Sequence, residues 1–252
     1  MILLGRVVFP TRMKIASSTA SFDRDLRAGD LTQLEWLDLC VEPLGIDGVV
    51  FDVRHFPRTD DEYLAQLKKM CVDRGLSVAG LATDALFESD DLRWIEIALH
   101  LGAPLLIART PQATDAAEAG AWNGVVAAVR KAASAAKRSN VTLAIRNAPG
   151  TFCEDASALK RLAKDVDSAW IRYAPDPARL LPLESAETLA SRAVIVTHDI
   201  GERIPHGWRV FRGFLVLDDA SGQASAADAG GLISGFRAVL EVLETEEVAA
   251  VP

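Results

Sequence analysis

Eight short apolar runs punctuate the chain. They begin near Lys14 (KIASS), Val49 (VVFDVRH), Leu76 (LSVAGLATD), Pro104 (PLLIARTP), Val141 (VTLAIRN), Trp170 (WIRYAPD), Val194 (VIVTHD) and Phe214 (FLVLDD). Nearly every run ends in polar or charged residues. Continuous apolar runs of this length suit strands buried on both faces, the condition of a parallel sheet covered by helices. Longer segments with helical spacing separate most of them. Eight such units in 252 residues predict an α/β chain folded as a single (β/α)8 TIM barrel. In that architecture sites form at the C-terminal strand ends, so the residues closing each run are the ones to weigh.

Helix signals fall between the runs. Asp30-Leu-Thr-Gln33 opens a helix carrying Leu31, Leu34, Leu37 and Val41, which Pro43 and Gly45 end. Thr59-Asp-Asp-Glu62 has capping-box spacing, and the helix after it places Tyr63, Leu67, Met70 and Cys71 on one face before Gly75. Ser89 starts another, with Leu92, Ile95 and Leu99 inward and Gly102 as its stop. Further helical segments run over 115–138, 154–166, 184–191 and 228–243. The link from Ile200 to Gly213 (IGERIPHGWRVFRG) shows no helical face, which predicts a helix-poor connection between strands 7 and 8, closing over the barrel mouth. Residues 1–12 read as an N-terminal extension, 13–245 as the barrel and 246–252 as a frayed tail. Truncation to Met13 is expected to leave the barrel's thermal midpoint nearly unchanged.

Composition narrows the function classes. Half the residues are hydrophobic, enough for one substantial core, and the net charge is -8 with acids and bases intermixed. A phosphate-binding surface needs a concentrated basic face, so no nucleic-acid partner is expected. No apolar stretch is long enough to span a bilayer, and the first residues lack a signal-peptide pattern, so no membrane partner is expected either. Cys40, Cys71 and Cys153 are odd in number and widely spaced, which fits free thiols in a reducing cytoplasm.

The strand ends supply, in order, Ser17 and Ser18; Asp52, Arg54 and His55; Thr83 and Asp84; Arg109; Arg146 and Asn147; Tyr173 and Asp176; Thr197, His198 and Asp199; Asp218 and Asp219. Guanidinium forks at Arg54, Arg109 and Arg146 suit carboxylate or phosphate groups, and with Asn147 they predict a pocket for a small anionic or hydroxyl-rich ligand. The competing reading pairs each Arg with a neighbouring Asp. His206 and Trp208, beside Arg209 in the helix-poor link, are candidate lid residues over a sugar, with packing of the loop as the alternative. His55 at its strand end is a further ligand candidate or a satisfied histidine. His100 reads as a helix-end cation, and Trp36, Trp94 and Trp122 as core or helix-contact residues.

The chain resembles the xylose isomerase-like TIM barrels, the sugar phosphate isomerase/epimerase group that includes AP endonucleases. The likeness covers about residues 13–245. It rests on MKIASSTASF, LGIDGVVFDVR, LKKMCVDRGLSVAGLAT, IEIALHLGAPLLIAR, AASAAKRSNVTLAIRN and APDPARL, and on the VIVTHD and FLVLDD strands. The resemblance implies a divalent metal held by a Glu ending strand 5, an Asp ending strand 6, a His in strand 7 and a Glu ending strand 8. This chain departs from that set. It has Arg146, Asp176, Thr197 (with His198 one residue later) and Asp218 at those places. A one-residue shift turns a strand side chain to the opposite face, so His198 substitutes only if a bulge re-aims it.

A permanent cation in place of a carboxylate repels a metal: two unit charges ~4 Å apart at an effective dielectric of ~20 interact by about 4 kcal/mol. The expectation is therefore a site without metal or other cofactor, with Arg146 standing near the metal's place and pairing with Asp176 or Asp218. Proton transfer next to a carbonyl then uses Asp218 or Asp176 as base, His198 as acid and Arg146 or Arg109 as oxyanion partner. Two functions stay open. One is a metal-independent isomerase or epimerase on a small sugar or sugar acid; the other is a non-catalytic ligand-binding or regulatory barrel that lost the reaction. The AP-endonuclease activity is set aside, since it requires a richer His/Glu cluster and a basic face. The family resemblance also suggests self-association into a homo-oligomer.

Overall fold

The computed structural model describes residues 14–87, 92–113, 119–177, 188–189, 192–201, 211, 213–219, 221–225 and 230–249. Every apolar run became a strand: β1 Lys14–Ser18, β2 Gly48–Asp52, β3 Ser77–Thr83, β4 Leu105–Arg109, β5 Thr142–Arg146, β6 Ile171–Tyr173, β7 Ile195–Asp199 and β8 Phe214–Asp218. They form one parallel sheet in the order β6-β5-β4-β3-β2-β1-β8-β7. Its two ends, β6 and β7, meet through a bridge between Tyr173 and Ala193, with Val194 N–H donating to Tyr173 C=O at 3.0 Å and Thr197 N–H to Pro175 C=O at 3.1 Å. The seam is sparse because Pro175 and Pro177 follow β6 and bring no N–H to a ladder. The result is the α/β TIM-barrel architecture.

The helices among the described residues are α1 Asp23–Ala28, α2 Gln33–Val41, α3 Asp61–Asp73, α4 Arg93–Leu101, α5 Ala119–Arg138, α6 Ala156–Val166 and α7 Gly230–Ala249. α7 continues past Leu243, where the sequence pattern fades. Two faces were misphased. Leu34 and Val41 of α2 and Leu99 of α4 are 43%, 37% and 46% exposed, while Trp36, Leu37 and Cys40, and Ile95, Ala98 and Leu101, point inward. Trp36 sets the phase of α2: it is fully buried and meets Phe51 of β2 edge-on at 5.5 Å. The caps also moved. Thr32 and Glu35 form the capping box of α2, whereas Asp60, not Thr59, caps α3 by accepting from Tyr63 N–H at 3.0 Å. The helix expected over 184–191, and the helix-poor link at 202–210 and 212, lie outside the described residues apart from 188–189.

Two apolar layers result. The larger joins the outward strand residues (Ile15, Phe51, Leu106, Leu143, Ile145, Leu217) to the helices. The smaller fills the barrel with Ala16, Val50, Ala79, Leu105, Ile107, Ala144, Ala174, Ile195 and Val216. At the N-terminal floor Phe214 lies against Gly48, where an added Cβ would sit 2.6 Å from its ring and 2.8 Å from Ser77 C=O. Gly48→Ala is therefore expected to destabilise the fold by about 1–3 kcal/mol through overpacking, read as a lower urea midpoint with an unchanged slope.

Candidate active site

The inward positions of the strands end at the C-terminal rim in polar groups. Ser18, Asp52, Arg54, Thr83, Asp84, Arg109, Arg146, Thr197 and Asp218 line one cavity, floored by Val50, Ile107 and Val216. Its water-accessible space is ≈ 50 Å³, room for a few water molecules. A register shift between Val49 and Val50 carries the β3 partner from Val78 to Gly80, leaving Ala79 as an extra residue. That bulge rephases β3, so that Ala82 and Asp84 reach the cavity.

Two of the three arginines are tied to carboxylates. Arg54 folds back on Asp52, with Nε to Oδ1 at 3.0 Å and Nη2 to Oδ2 at 2.8 Å, and Nη1 lies 3.6 Å from Asp23 Oδ1. Arg109 Nη2 meets Asp84 Oδ2 at 2.5 Å. The Arg–Asp pairing weighed from the sequence therefore holds for these two. His55 is buried and turned away from the cavity lining, its Nε2 3.0 Å from Asp23 Oδ1. Burial would raise the Asp23 pKa, but the His55 hydrogen bond and the charges of Arg54, His55 and Arg27 outweigh it and hold the carboxyl below its usual range.

Arg146 is opposite Arg109 in the β4–β5 register, and both side chains line the cavity. Arg146 shares that lining with Asp218 and influences its charge, yet among the described residues no ion pair within 4.0 Å joins the two. The direct Arg146–Asp218 pairing expected from the sequence is thus a longer-range interaction.

Asp218 is buried, its Oδ1 accepting from Ser18 N–H at 3.1 Å and Ser21 Oγ–H at 3.0 Å. Burial pushes its pKa up to about 6, with nearby Asp176 adding to the rise; the Ser21 hydrogen bond, the Arg146 charge and the Ser18 N–H pull the other way. Ser21 escaped the sequence reading. Its signal was the hydroxyl-rich STAS segment after β1.

Asp176, just past β6, is buried outside the cavity lining. Asn147 fixes it: its Nδ2 donates to Asp176 C=O at 3.2 Å and its Oδ1 accepts from Asp176 N–H at 2.8 Å. Asn147 is fully buried and serves the backbone rather than the cavity surface. In β7 the pairing with β8 runs without a shift from Ile195↔Phe214 to Asp199↔Asp218. Thr197 lines the cavity and the buried His198 does not, so no bulge re-aims the histidine. His206 and Trp208 lie outside the described residues. Among the described residues no three His, Cys, Asp or Glu side chains gather as a metal-binding group, and no helix is long and apolar enough to cross a membrane.

The raised pKa of Asp218 carries a stability consequence. The folded state holds this proton up to about pH 6, whereas the unfolded chain releases it near ~3.9. The folded form therefore binds more protons between those values, and stability falls as pH rises through that window. At neutral pH the cost is at most about 3 kcal/mol, from ~1.36 kcal/mol per pKa unit. Asp218→Asn keeps an acceptor for Ser18 and Ser21. It is expected to raise the urea midpoint at pH 7.5 and to lose that advantage near pH 4.

Comparison with known proteins places this geometry. A family model described as xylose isomerase-like TIM barrel matches residues 40–206. No curated protein matches in sequence. Among solved structures, the chain is similar to an L-ribulose 3-epimerase (TM-score 0.73, 17% identity, 95% of this chain and 99% of that one). It is also similar to D-psicose 3-epimerase from Clostridium cellulolyticum H10, solved with D-tagatose (0.72, 15%, 92% and 99%). A third likeness is to 3-keto-D-glucoside 4-epimerase from E. coli (0.68, 14%, 92% and 100%). At these identities the structures speak for the fold alone. With the family model matching 167 of its 252 residues, the chain belongs to the xylose isomerase-like TIM barrels.

Proposed function

We propose that the protein is an isomerase or epimerase of a small sugar or sugar acid that works without the family's divalent metal. The observation that carries this reading is Asp218, a carboxylate buried beside the cavity with its pKa pushed up to about 6. A base of that strength is largely ionised at neutral pH and still proton-seeking, the balance general-base catalysis requires. Several of the similar solved structures are sugar epimerases, which supports proton transfer next to a carbonyl as the chemistry.

The donor set does not suit a divalent ion. Arg146 brings a permanent positive charge to the cavity, Thr197 rather than His198 faces it, and Asp218 has one oxygen already accepting two hydrogen bonds. In the proposed step, the Asp218 carboxylate removes the proton from the carbon beside the substrate carbonyl. The electron pair of the broken C–H bond moves into the carbonyl, giving an enediolate whose oxyanion faces the Arg146 and Arg109 wall. Return of the proton to the neighbouring carbon, with the enediolate hydroxyl proton passing to the oxyanion, isomerises the sugar; epimerisation takes a proton delivered to the opposite face of the same carbon by a second acid, while Asp218 keeps the one it removed. Asp176, held in place by Asn147, is the second candidate base; His198 would act only by reorienting.

Proton NMR in D₂O with excess EDTA tests the reading on a panel of ketoses and keto acids. Loss of the C–H signal beside the carbonyl is expected, with a rate that rises with pH as Asp218 ionises through about pH 6. Asp218→Asn should lower the rate by roughly 10²-fold or more. Exchange that needs an added divalent ion, or that survives in Asp218→Asn, overturns the proposal. No exchange with any compound favours the non-catalytic binding barrel instead.

A further inference from the structure

Among the described residues, one guanidinium of the cavity wall has no carboxylate at ion-pair distance. Arg54 is held by Asp52, and Arg109 by Asp84. Arg146 has no carboxylate within 4.0 Å among the described residues, although it is half-buried and stands opposite Arg109 in the β4–β5 register. Like charges directly opposite one another on neighbouring strands are destabilising, and a partly desolvated guanidinium without an anion is costly. The nearby Asp218 relieves it only in part and at longer range, because its Oδ1 is directed to Ser18 and Ser21.

We infer that the missing anion belongs to the ligand: the substrate class is a 2-keto sugar acid whose carboxylate sits on Arg146. This rests on the reading of the cavity as a substrate site and names what enters it. Three arginines and three aspartates line the cavity, and two of each are spent on one another. A neutral sugar leaves Arg146 without an anion at ion-pair distance. A phosphate dianion finds one open guanidinium with a buried aspartate beside it, an unfavourable match for two negative charges. A monocarboxylate brings the single charge that one open guanidinium matches. The planar fork of Arg146 presents several N–H groups in fixed geometry, so one guanidinium holds the carboxylate and the adjacent keto oxygen together. That places the neighbouring C–H on the side of Asp218.

Calorimetric titration with EDTA present compares 2-keto-D-gluconate with D-fructose, which has a hydroxymethyl group in place of the carboxylate, and with D-fructose 6-phosphate. The keto acid is expected to bind at least ~30-fold more tightly than either. Arg146→Gln should lose that preference by roughly 30-fold or more, and Arg146→Lys should recover part of it. The folding of Arg146→Gln is checked by its ligand-free thermal midpoint, which should change little because repulsion from Arg109 and attraction to Asp218 are lost together; should it fail to fold, Arg146→Lys, expected to lose part of the preference, carries the test. Equal binding of the neutral ketose, tighter binding of the phosphate, no binding of the acid, or an acid preference unchanged in the variants each overturns the inference. Deuterium exchange separates the two proposals. Exchange on neutral ketoses with no acid preference keeps the epimerase reading and removes this one. Arg146-dependent acid binding without exchange does the reverse.

Discussion

Alternation along eight parallel strands is the constraint on which the structure depends. Because successive side chains point to opposite faces, an inward residue at the bottom of a strand dictates another two positions on. Ala16 leads to Ser18, Val50 to Asp52, Ile107 to Arg109, Ala144 to Arg146, Ile195 to Thr197 and Val216 to Asp218. The small and branched interior is thus continuous with a charged rim. The unbroken register between β7 and β8 makes the alternation strict enough to turn His198 away and present Thr197.

The rim carries charge at low dielectric, and the protein balances it unevenly. Asp52 and Asp84 neutralise two guanidinium groups at close range, while Asp218 is buried with two hydrogen bonds and a pKa near 6. Such a group weakens the fold at neutral pH. A carboxylate kept at that expense in a cavity is the pattern expected of a functional group rather than a structural one. Asn147 contributes differently. By bonding both backbone groups of Asp176 it fixes the segment after β6 that the sheet ladder cannot hold.

The helical layer shows where local patterns mislead. Leu34 and Leu99 fit an apolar stripe as well as their neighbours do, yet they are exposed. The sheet offers one contact surface, and the bulky Trp36 claims it for α2 by packing on Phe51. Spacing alone defines a stripe about 100° wide but not which edge of it meets the sheet. Likewise Thr59 and Asp60 are both competent caps, and the path of the chain from His55 into α3 selects Asp60.

All eight strands were legible in the sequence because strands buried on both faces must be apolar throughout, and their polar ends announced the rim. The same reasoning exposed Arg146, Asp176 and Asp218, since each closes a run, while the family resemblance raised the question of His198 against Thr197. What the sequence could not decide were matters of register and partner choice. The extra residue Ala79 in β3 aims Asp84 at Arg109, and only the isolated Gly80 beside it in SVAGLATD hints at a bulge. The hydrogen bond of Ser21 to Asp218 joins residues 197 positions apart. Local pattern determines which face of a strand a side chain occupies; only the assembled barrel determines which charge it meets there, because those partners arrive from different strands.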